Sequence, residues 1–238
     1  MNAPCSAIRP HRDTPDALEA IRSRRAVRAF LPTPVGDDVV SHILEVAARA
    51  PSGSNIQPWQ VTVLRGEPLA ALARELHALS LAGDPGQEEY AYYPRAWREP
   101  YIGRRRKVGW DLYGTLGIGK GDREATRRQL ARNFLFFDAP VGLIFTIDRD
   151  MELGSWLDYG MFLQNIMIAA RGLGLDTCPQ AAFNAYGRVI AARLGIPETQ
   201  MIVCGMALGH ARVDAPENNF DTEREPLEGF VRFVDRLA

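Results

Sequence analysis

Apolar residues recur every three to four positions over several stretches of the chain, and β-branched or apolar residues crowd into shorter runs between them. From Asp37 to Arg49 the residues Val40, Ile43, Leu44 and Ala47 fall on one helical face. Thr14 to Arg25 carries Leu18 and Ile21 at a similar spacing, so both stretches are expected to be helices. Trp156 to Arg171 is apolar on more than one side, through Leu157, Phe162, Leu163, Ile166, Met167 and Ala170. A helix of that kind is covered from several directions, within the fold or by a second subunit. Gln60 to Leu64, Pro140 to Ile147 and Met201 to Leu208 are compact runs bounded by Gly, Pro or Asp, and they predict central strands. The order of elements is that of an α+β chain.

The regular pattern fails between Ala82 and Arg128. There Tyr90, Tyr92, Tyr93, Trp97, Tyr101, Trp110 and Tyr113 mix with Arg104, Arg105, Arg106 and Lys107. Aromatics among cations can stack single-stranded nucleic acid. The whole chain argues otherwise, because 28 basic residues against 29 acidic leave a net charge of −1 and no field for a polyanion or an anionic membrane. The excursion over residues 82–128 is therefore read as a cap on an aromatic-binding pocket. No Ser/Gly linker or low-complexity stretch divides the 238 residues, so a single domain over 17–238 is expected behind an N-terminal extension, residues 1–16. Met1 to Thr14 holds Arg9, His11, Arg12 and Asp13 without an apolar run. No stretch approaches the roughly 20 apolar residues of a membrane span. Cys5, Cys178 and Cys204 are odd in number and lack paired spacing, which suits a reducing compartment. A cytoplasmic protein is expected, with small molecules or a second copy of itself as partners and neither nucleic acid nor membrane.

Two segments carry candidate chemistry. Arg24, Arg25 and Arg28 lie where a helix gives way to Phe30-Leu31-Pro32, and planar guanidiniums so close together can converge on one phosphate. A solvated basic face would have the same sequence. About twenty residues on, Pro51, Ser52, Gly53, Ser54 and Asn55 form a turn-prone loop at the end of a helix, followed by Gln57, Trp59 and Gln60. Such a loop can present amides and hydroxyls to a heterocycle. Together the two segments suggest a site for a flat polar ligand with a phosphate tail.

Other chemistries fit less well. Gly114 to Gly121 approaches a phosphate-binding P-loop, but Gly121 stands where the magnesium-binding hydroxyl is required, and Gly109 to Leu112 is a poor core strand. No Gly-x-Gly-x-x-Gly follows a predicted strand, so a nicotinamide nucleotide would bind transiently rather than in its own Rossmann domain. His11, His42, His77 and His210 have no ligand-like spacing, and no metal is expected. Ser52-Gly53-Ser54 lacks the nucleophile elbow of a hydrolase. Cys178 has no partner cysteine nearby and reads as a packed small residue.

Arg-Arg-x-Val-Arg-x-Phe at 24–30 and Ala-Pro-Ser-Gly-x-Asn-x-Gln-Pro-Trp at 50–59 resemble the FMN-dependent nitroreductase family. Two later segments extend the resemblance over Ala17 to Phe233: Thr177-Cys178-Pro179-Gln180-Ala181-Ala182 after a Gly-Leu-Gly-Leu helix end, and Thr222-Glu223-Arg224-Glu225-Pro226. Trp156 to Ile166 and Val203 to Gly209 are most similar to the branch that includes nitrobenzoate reductases. The resemblance implies an α+β fold with a mixed sheet flanked by helices, in an intertwined homodimer with FMN at the interface. It implies that Arg24, Arg25 and Arg224 hold the FMN phosphate and that Arg28 reaches toward the ribityl chain and the flavin O2 side, where a fixed cation favours the anionic reduced flavin. Pro51, Ser52, Gly53 and Asn55 match the loop that the other subunit contributes. Pro179, Gln180, Ala181 and Ala182 match the stretch along the N5 edge, and Asp158 a polar side chain near the isoalloxazine. Ser54 on the loop and Trp110 in the cap are the candidates for the substrate side. Two residues depart from the family pattern: Ala26 replaces a phosphate-binding Ser, and Ala181 replaces a Glu found in some members. Phe230-Val231-Arg232-Phe233 has the alternation of an arm that crosses to a partner.

The implied activity is NAD(P)H-dependent reduction of nitroaromatic compounds to nitroso and hydroxylamine products. The implied route is a ping-pong transfer of hydride through flavin N5, with NADPH or NADH as reductant and a small aromatic acceptor taking its turn in the same site. No side chain is expected to act as a nucleophile. Quinone or flavin reduction within the same family, and non-catalytic flavin binding, are the alternative readings.

Overall fold

The structure is a computed structural model that describes residues 16–236. Cys5, His11 and the expected extension, apart from Asp16, lie outside the described residues. Four strands, β1 (Gln60–Leu64), β2 (Val141–Asp148), β3 (Asp176–Gln180) and β4 (Gln200–Gly209), form one sheet in the order β1-β2-β4-β3. All three strand pairs are antiparallel, and the only parallel pairing among the described residues is the bridge between Ala26 and Thr177. The mixed character expected of the sheet is confined to that bridge. Three of the strands coincide with the predicted runs to within a residue at each end. β3 is the addition: its Asp-Thr-Cys-Pro-Gln sequence carries a proline, which an edge strand tolerates because no ladder bond is lost on the outer side.

Both faces of the sheet are covered. α2 (Asp37–Ala47) and α6 (Leu153–Gly172) lie on one face, where Val40, Ile43, Phe162 and Ile166 meet Leu143, Phe145 and Ile147. On the other face α3 (Gly66–Leu81), α7 (Gly187–Leu194) and 3-10 turns at residues 132–138 and 181–186 bury Leu72, Leu76, Phe136 and Phe183. α3 lies outside the predicted elements although its Leu69, Leu72, Ala73 and Leu76 have helical spacing. Trp59 is turned inward from the loop and stacks on Phe162 with ring centroids 4.7 Å apart. It serves the core and is not presented to a ligand.

The excursion over residues 82–128 is fastened to the sheet at a bulge. Phe145 pairs with Cys204 and Thr146 with Ile202, so Val203 is an extra residue in β4. The bulge leaves backbone groups without ladder partners, and the first residues of the excursion take them up: the Ile202 N–H donates to Glu89 Oε2 (3.0 Å) and Tyr90 Oη donates to the Val203 carbonyl (2.5 Å). Asn184 grips the same residues, accepting from the Glu89 N–H (2.9 Å) and donating to the Tyr90 carbonyl (2.8 Å). The rest of the excursion contains α4 (Tyr101–Thr115), and α5 (Arg123–Ala131) begins within it. The P-loop-like segment is the end of α4 and its link to α5, and Lys120 Nζ sits 5.1 Å from the Trp110 ring centroid. There is no strand before it.

α1 (Ala17–Ser23) is capped by Asp16, whose side chain accepts from the Glu19 N–H at 2.8 Å, and it ends at Arg24 in extended conformation. The chain then runs along the open edge of β3, with the Val27 N–H donating to the Thr177 carbonyl at 3.0 Å.

Gly205 in β4 shows how tightly the far face is packed. A Cβ there would lie 2.5 Å from Cδ2 of Phe183, a fully buried ring wedged against Phe136. Gly205→Ala is expected to cost about 1–3 kcal/mol by overpacking. Urea denaturation measures it, and an unchanged midpoint would contradict the packing described.

Candidate active site

Beside the open edge of β3 lies a cavity of about 770 Å³, within the usual range for small-molecule sites. Arg24, Arg25, Ala26, Arg28 and Arg224 all line it, so the structure brings the first and last sequence motifs together across some 200 residues. Six arginines face three carboxylates there. Two of those carboxylates have partners already: Asp176 lies 3.5 Å from Arg171, and Glu217 3.0 Å from Arg132. Among the described residues Arg24, Arg25, Arg28 and Arg224 make no ion pair. The guanidinium of Arg24 is held below its ordinary pKa, first by burial and then by the like charge of Arg224. An arginine cannot relieve this by losing its proton. A bound anion can.

The arginines are held by backbone and amide contacts that leave their forks available. Arg28 donates through Nη1 to the Ala26 carbonyl (3.2 Å), and its N–H donates to Asn218 Oδ1 (2.7 Å). Buried Asn218 also donates to the carbonyls of Ala29 (2.8 Å) and Arg212 (2.9 Å), which fixes the strand of chain that carries Arg28. Arg224 spends only Nη1, on Thr222 and Glu223. Asn218 and Thr222 are site residues that sequence reasoning missed. Asn218 sits in a Pro-Glu-Asn-Asn turn whose only signal is its turn composition.

β3 carries the other polar atoms that call for a partner. Thr177 Oγ1 and Gln180 Oε1 are buried without a hydrogen bond. The Gln180 side chain points inward, donating to the Asn133 carbonyl (2.6 Å). Pro179 is exposed and Ala181 and Ala182 are half-buried, so that end of the strand faces outward mainly as backbone.

The second motif stands elsewhere. Ser54, Asn55 and Gln57 adopt left-handed backbone (φ 50°, 59° and 51°), which costs energy in non-glycine residues. Ser52 stabilises the shape, accepting from the Asn55 N–H through its carbonyl (2.9 Å) and from the Gln57 N–H through its hydroxyl (3.0 Å). Asp158 on α6 anchors the loop by accepting from the Gly53 N–H at 3.0 Å. The arginine segment is tied to the far end of the same helix, where Arg171 donates to Ser23 Oγ at 3.1 Å. Thirteen residues of helix part the two anchors, roughly 20 Å at the usual rise. Within one chain, Pro51, Ser52, Gly53, Ser54, Asn55 and Asp158 are therefore not brought to the cavity. Trp110 also stands outside its lining, partly exposed on α4 and edge-on to Tyr113.

A sequence profile of the nitroreductase family matches residues 21–210. The chain belongs to the nitroreductase family. It is 44% identical over 221 residues to a 4-nitrobenzoate reductase of Pseudomonas putida, covering 93% of this chain and 96% of that protein. A nitrobenzene nitroreductase of Ectopseudomonas oleovorans is 44% identical over 219 residues, with 91% and 96% covered. Among solved structures, the FMN and NADPH-dependent nitroreductase NfnB from sphigopyxis sp. strain HMH superposes with a TM-score of 0.89 at 38% identity, covering 93% of this chain and all of that one.

Cys178 lies beneath the arginines, and burial pushes its thiol up to about 11, while burial pushes Cys204 to about 12. Both are neutral at physiological pH, so this nitroreductase-family chain has no activated thiol at these positions. Because the folded values are raised, the stability these thiols contribute is present below the unfolded value near 9 and is lost as pH rises through about 11. In a Cys5→Ser variant at pH 8, a thiol reagent should label nothing until denaturant is added; rapid labelling of the native protein would contradict the burial.

Proposed function

We propose that this nitroreductase-family chain is an FMN-dependent NAD(P)H oxidoreductase that reduces small nitroaromatic compounds. The observation that carries the reading is the cavity beside β3 in which six arginines outnumber three carboxylates and Arg24, Arg25, Arg28 and Arg224 make no ion pair among the described residues. Arg24, Arg25 and Arg224 would hold the FMN phosphate, and Ala26, which has no hydroxyl to offer, leaves that task to them. Arg28, locked by Asn218, would set a positive charge beside the ribityl chain and the pyrimidine side of the flavin. Pro179, Gln180, Ala181 and Ala182 would line the N5 edge with backbone groups. When bound, FMN supplies two-electron chemistry, drawing reducing equivalents from NADPH or NADH and passing them to a nitro group in alternating ping-pong fashion. The named relatives support the acceptor class.

The site would be completed by a second copy of the chain. Asp158 would hold the loop of Pro51, Ser52, Gly53 and Asn55 in shape for the partner's flavin, with Ser54 toward the acceptor. Leu153 and Leu157 on α6 are 81% and 75% exposed, and Met161 continues the same stripe. An apolar stripe of that kind beside the loop favours a homodimer over a monomer. Phe230 and Phe233, exposed after a 3-10 turn at Leu227–Gly229, would cross to the partner. We read residues 17–238 as one domain, with the 82–128 excursion and its Trp110 capping the acceptor side. No helix among the described residues is long and apolar enough to cross a membrane. We assign the protein to the cytoplasm, in keeping with its buried free thiols.

An anaerobic stopped-flow experiment tests this reading. NADPH should bleach the flavin absorbance of the purified protein, and a stoichiometric amount of 4-nitrobenzoate should restore it. Flavin that NADPH leaves oxidised would contradict the oxidoreductase reading.

A further inference from the structure

Arg224 stands between two carboxylates, Glu223 and Glu225, and neither neutralises it. Both are engaged by the cap helix. Glu225 Oε2 accepts from Arg104 Nη2 at 2.5 Å, and Glu223 Oε1 lies 3.4 Å from Lys107 Nζ. Arg104 and Lys107 are three residues apart on α4, hence on one helical face. Lys107 is held in turn by Asp111, at 2.8 Å. The chain on either side of Arg224 is thus fastened to α4 while Arg224 itself lines the arginine cavity.

The same helix also approaches the side of the cavity that carries Arg28, without lining it. Tyr113, near its C-terminal end, has its hydroxyl pKa raised by burial and pulled back by the charge of Arg28. α4 also packs on the 3-10 turn Pro216–Asn218, whose Asn218 fixes the Arg28 backbone. One cap helix therefore seats against the supports of two arginines. Without the ion pairs, Glu223 and Glu225, the residues on either side of Arg224, would be free to turn and compete for its fork.

We infer that Glu223 and Glu225, through Lys107 and Arg104, are positioning residues that aim Arg224 at the FMN phosphate, so that seating of the cap and retention of the cofactor are coupled. The inference rests on the reading of Arg224 as a phosphate ligand. It goes further in giving the cap an electrostatic connection to the cofactor end of the site, and by linkage whatever seats α4 tightens FMN to the same degree that FMN seats α4. The Arg104–Glu225 pair is about half exposed and Glu223 in the other pair more so, so each effect is modest and sensitive to salt.

Equilibrium binding of FMN and of riboflavin, which has no phosphate, to the apoprotein tests the coupling. In dilute buffer, Arg104→Gln should weaken FMN about threefold and the Arg104→Gln, Lys107→Gln pair about tenfold, with Arg224→Ala as the upper bound. Riboflavin binding should stay the same. The charge-swapped Arg104→Glu, Glu225→Arg protein should regain most of the lost FMN affinity, and about 0.5 M salt should shrink the difference between wild type and single variants. Unchanged FMN affinity in the double variant would overturn the inference, as would equal weakening of FMN and riboflavin or failure of the swap. A wild-type protein with no preference for FMN over riboflavin would overturn the phosphate reading itself, and the coupling with it.

Discussion

The straight run of α6 between Asp158 and Arg171 is the constraint on which the rest of the site depends. The helix is held to the sheet: the Tyr159 hydroxyl lies within hydrogen-bond distance of the carbonyls of Gln60 (3.0 Å) and Thr146 (2.9 Å), between which its one proton is shared, and Phe162, Ile166 and Ala170 are buried against the sheet. The polar loop is pinned at one end and the arginine segment at the other, roughly 20 Å apart at the rise of an α-helix. No rotamer change can close that gap. In the homodimer proposed above, each of these two halves would be completed by the other half from a second copy.

Electrostatics gives the arginine half its selectivity. Bringing six guanidiniums together with only three carboxylates is unfavourable, and partial burial strengthens the repulsion because less water screens it. The fold meets this cost with contacts that do not neutralise charge: backbone carbonyls for Arg28 and Arg224, and the buried amide of Asn218. What results is a cavity with an excess of positive charge, in keeping with the phosphate site proposed above. The cap enters the same balance, since its cations occupy carboxylates that would otherwise satisfy Arg224.

Much of this was legible in the chain because local periodicity and local chemistry agree. α2 and α6 follow from helical spacing, β1, β2 and β4 from compact apolar runs bounded by Gly, Pro or Asp, and the structure places Arg24, Arg25, Arg28 and Arg224 on one cavity. β3 was not legible, since in Asp-Thr-Cys-Pro-Gln only Thr177 favours a strand while Asp176 and Pro179 disfavour one, and the segment is held in place by β4 and by the parallel bridge to Ala26. Trp59 belongs to the core because a ring partner, Phe162, comes from a helix more than a hundred residues away. Asn218 showed only as part of a turn for the same reason: its role is fixed by the Arg28 backbone, which only the fold brings near. Long-range partners, and not the identity of the residue, decide these cases.

The claim that one working site needs two chains is tested most directly by subunit complementation. One parent would carry Arg24→Ala and Arg224→Ala, which disable the cavity, and the other Gly53→Asp, which sets a carboxylate against Asp158 and displaces the loop. Each parent alone should be inactive. Mixed dimers formed by co-expression should recover one working site each, an intact cavity of one chain joined to the intact loop of the other, with FMN-dependent nitroaromatic reduction restored. If the mixed dimers form and stay as inactive as their parents, cavity and loop act within a single chain and the account is wrong.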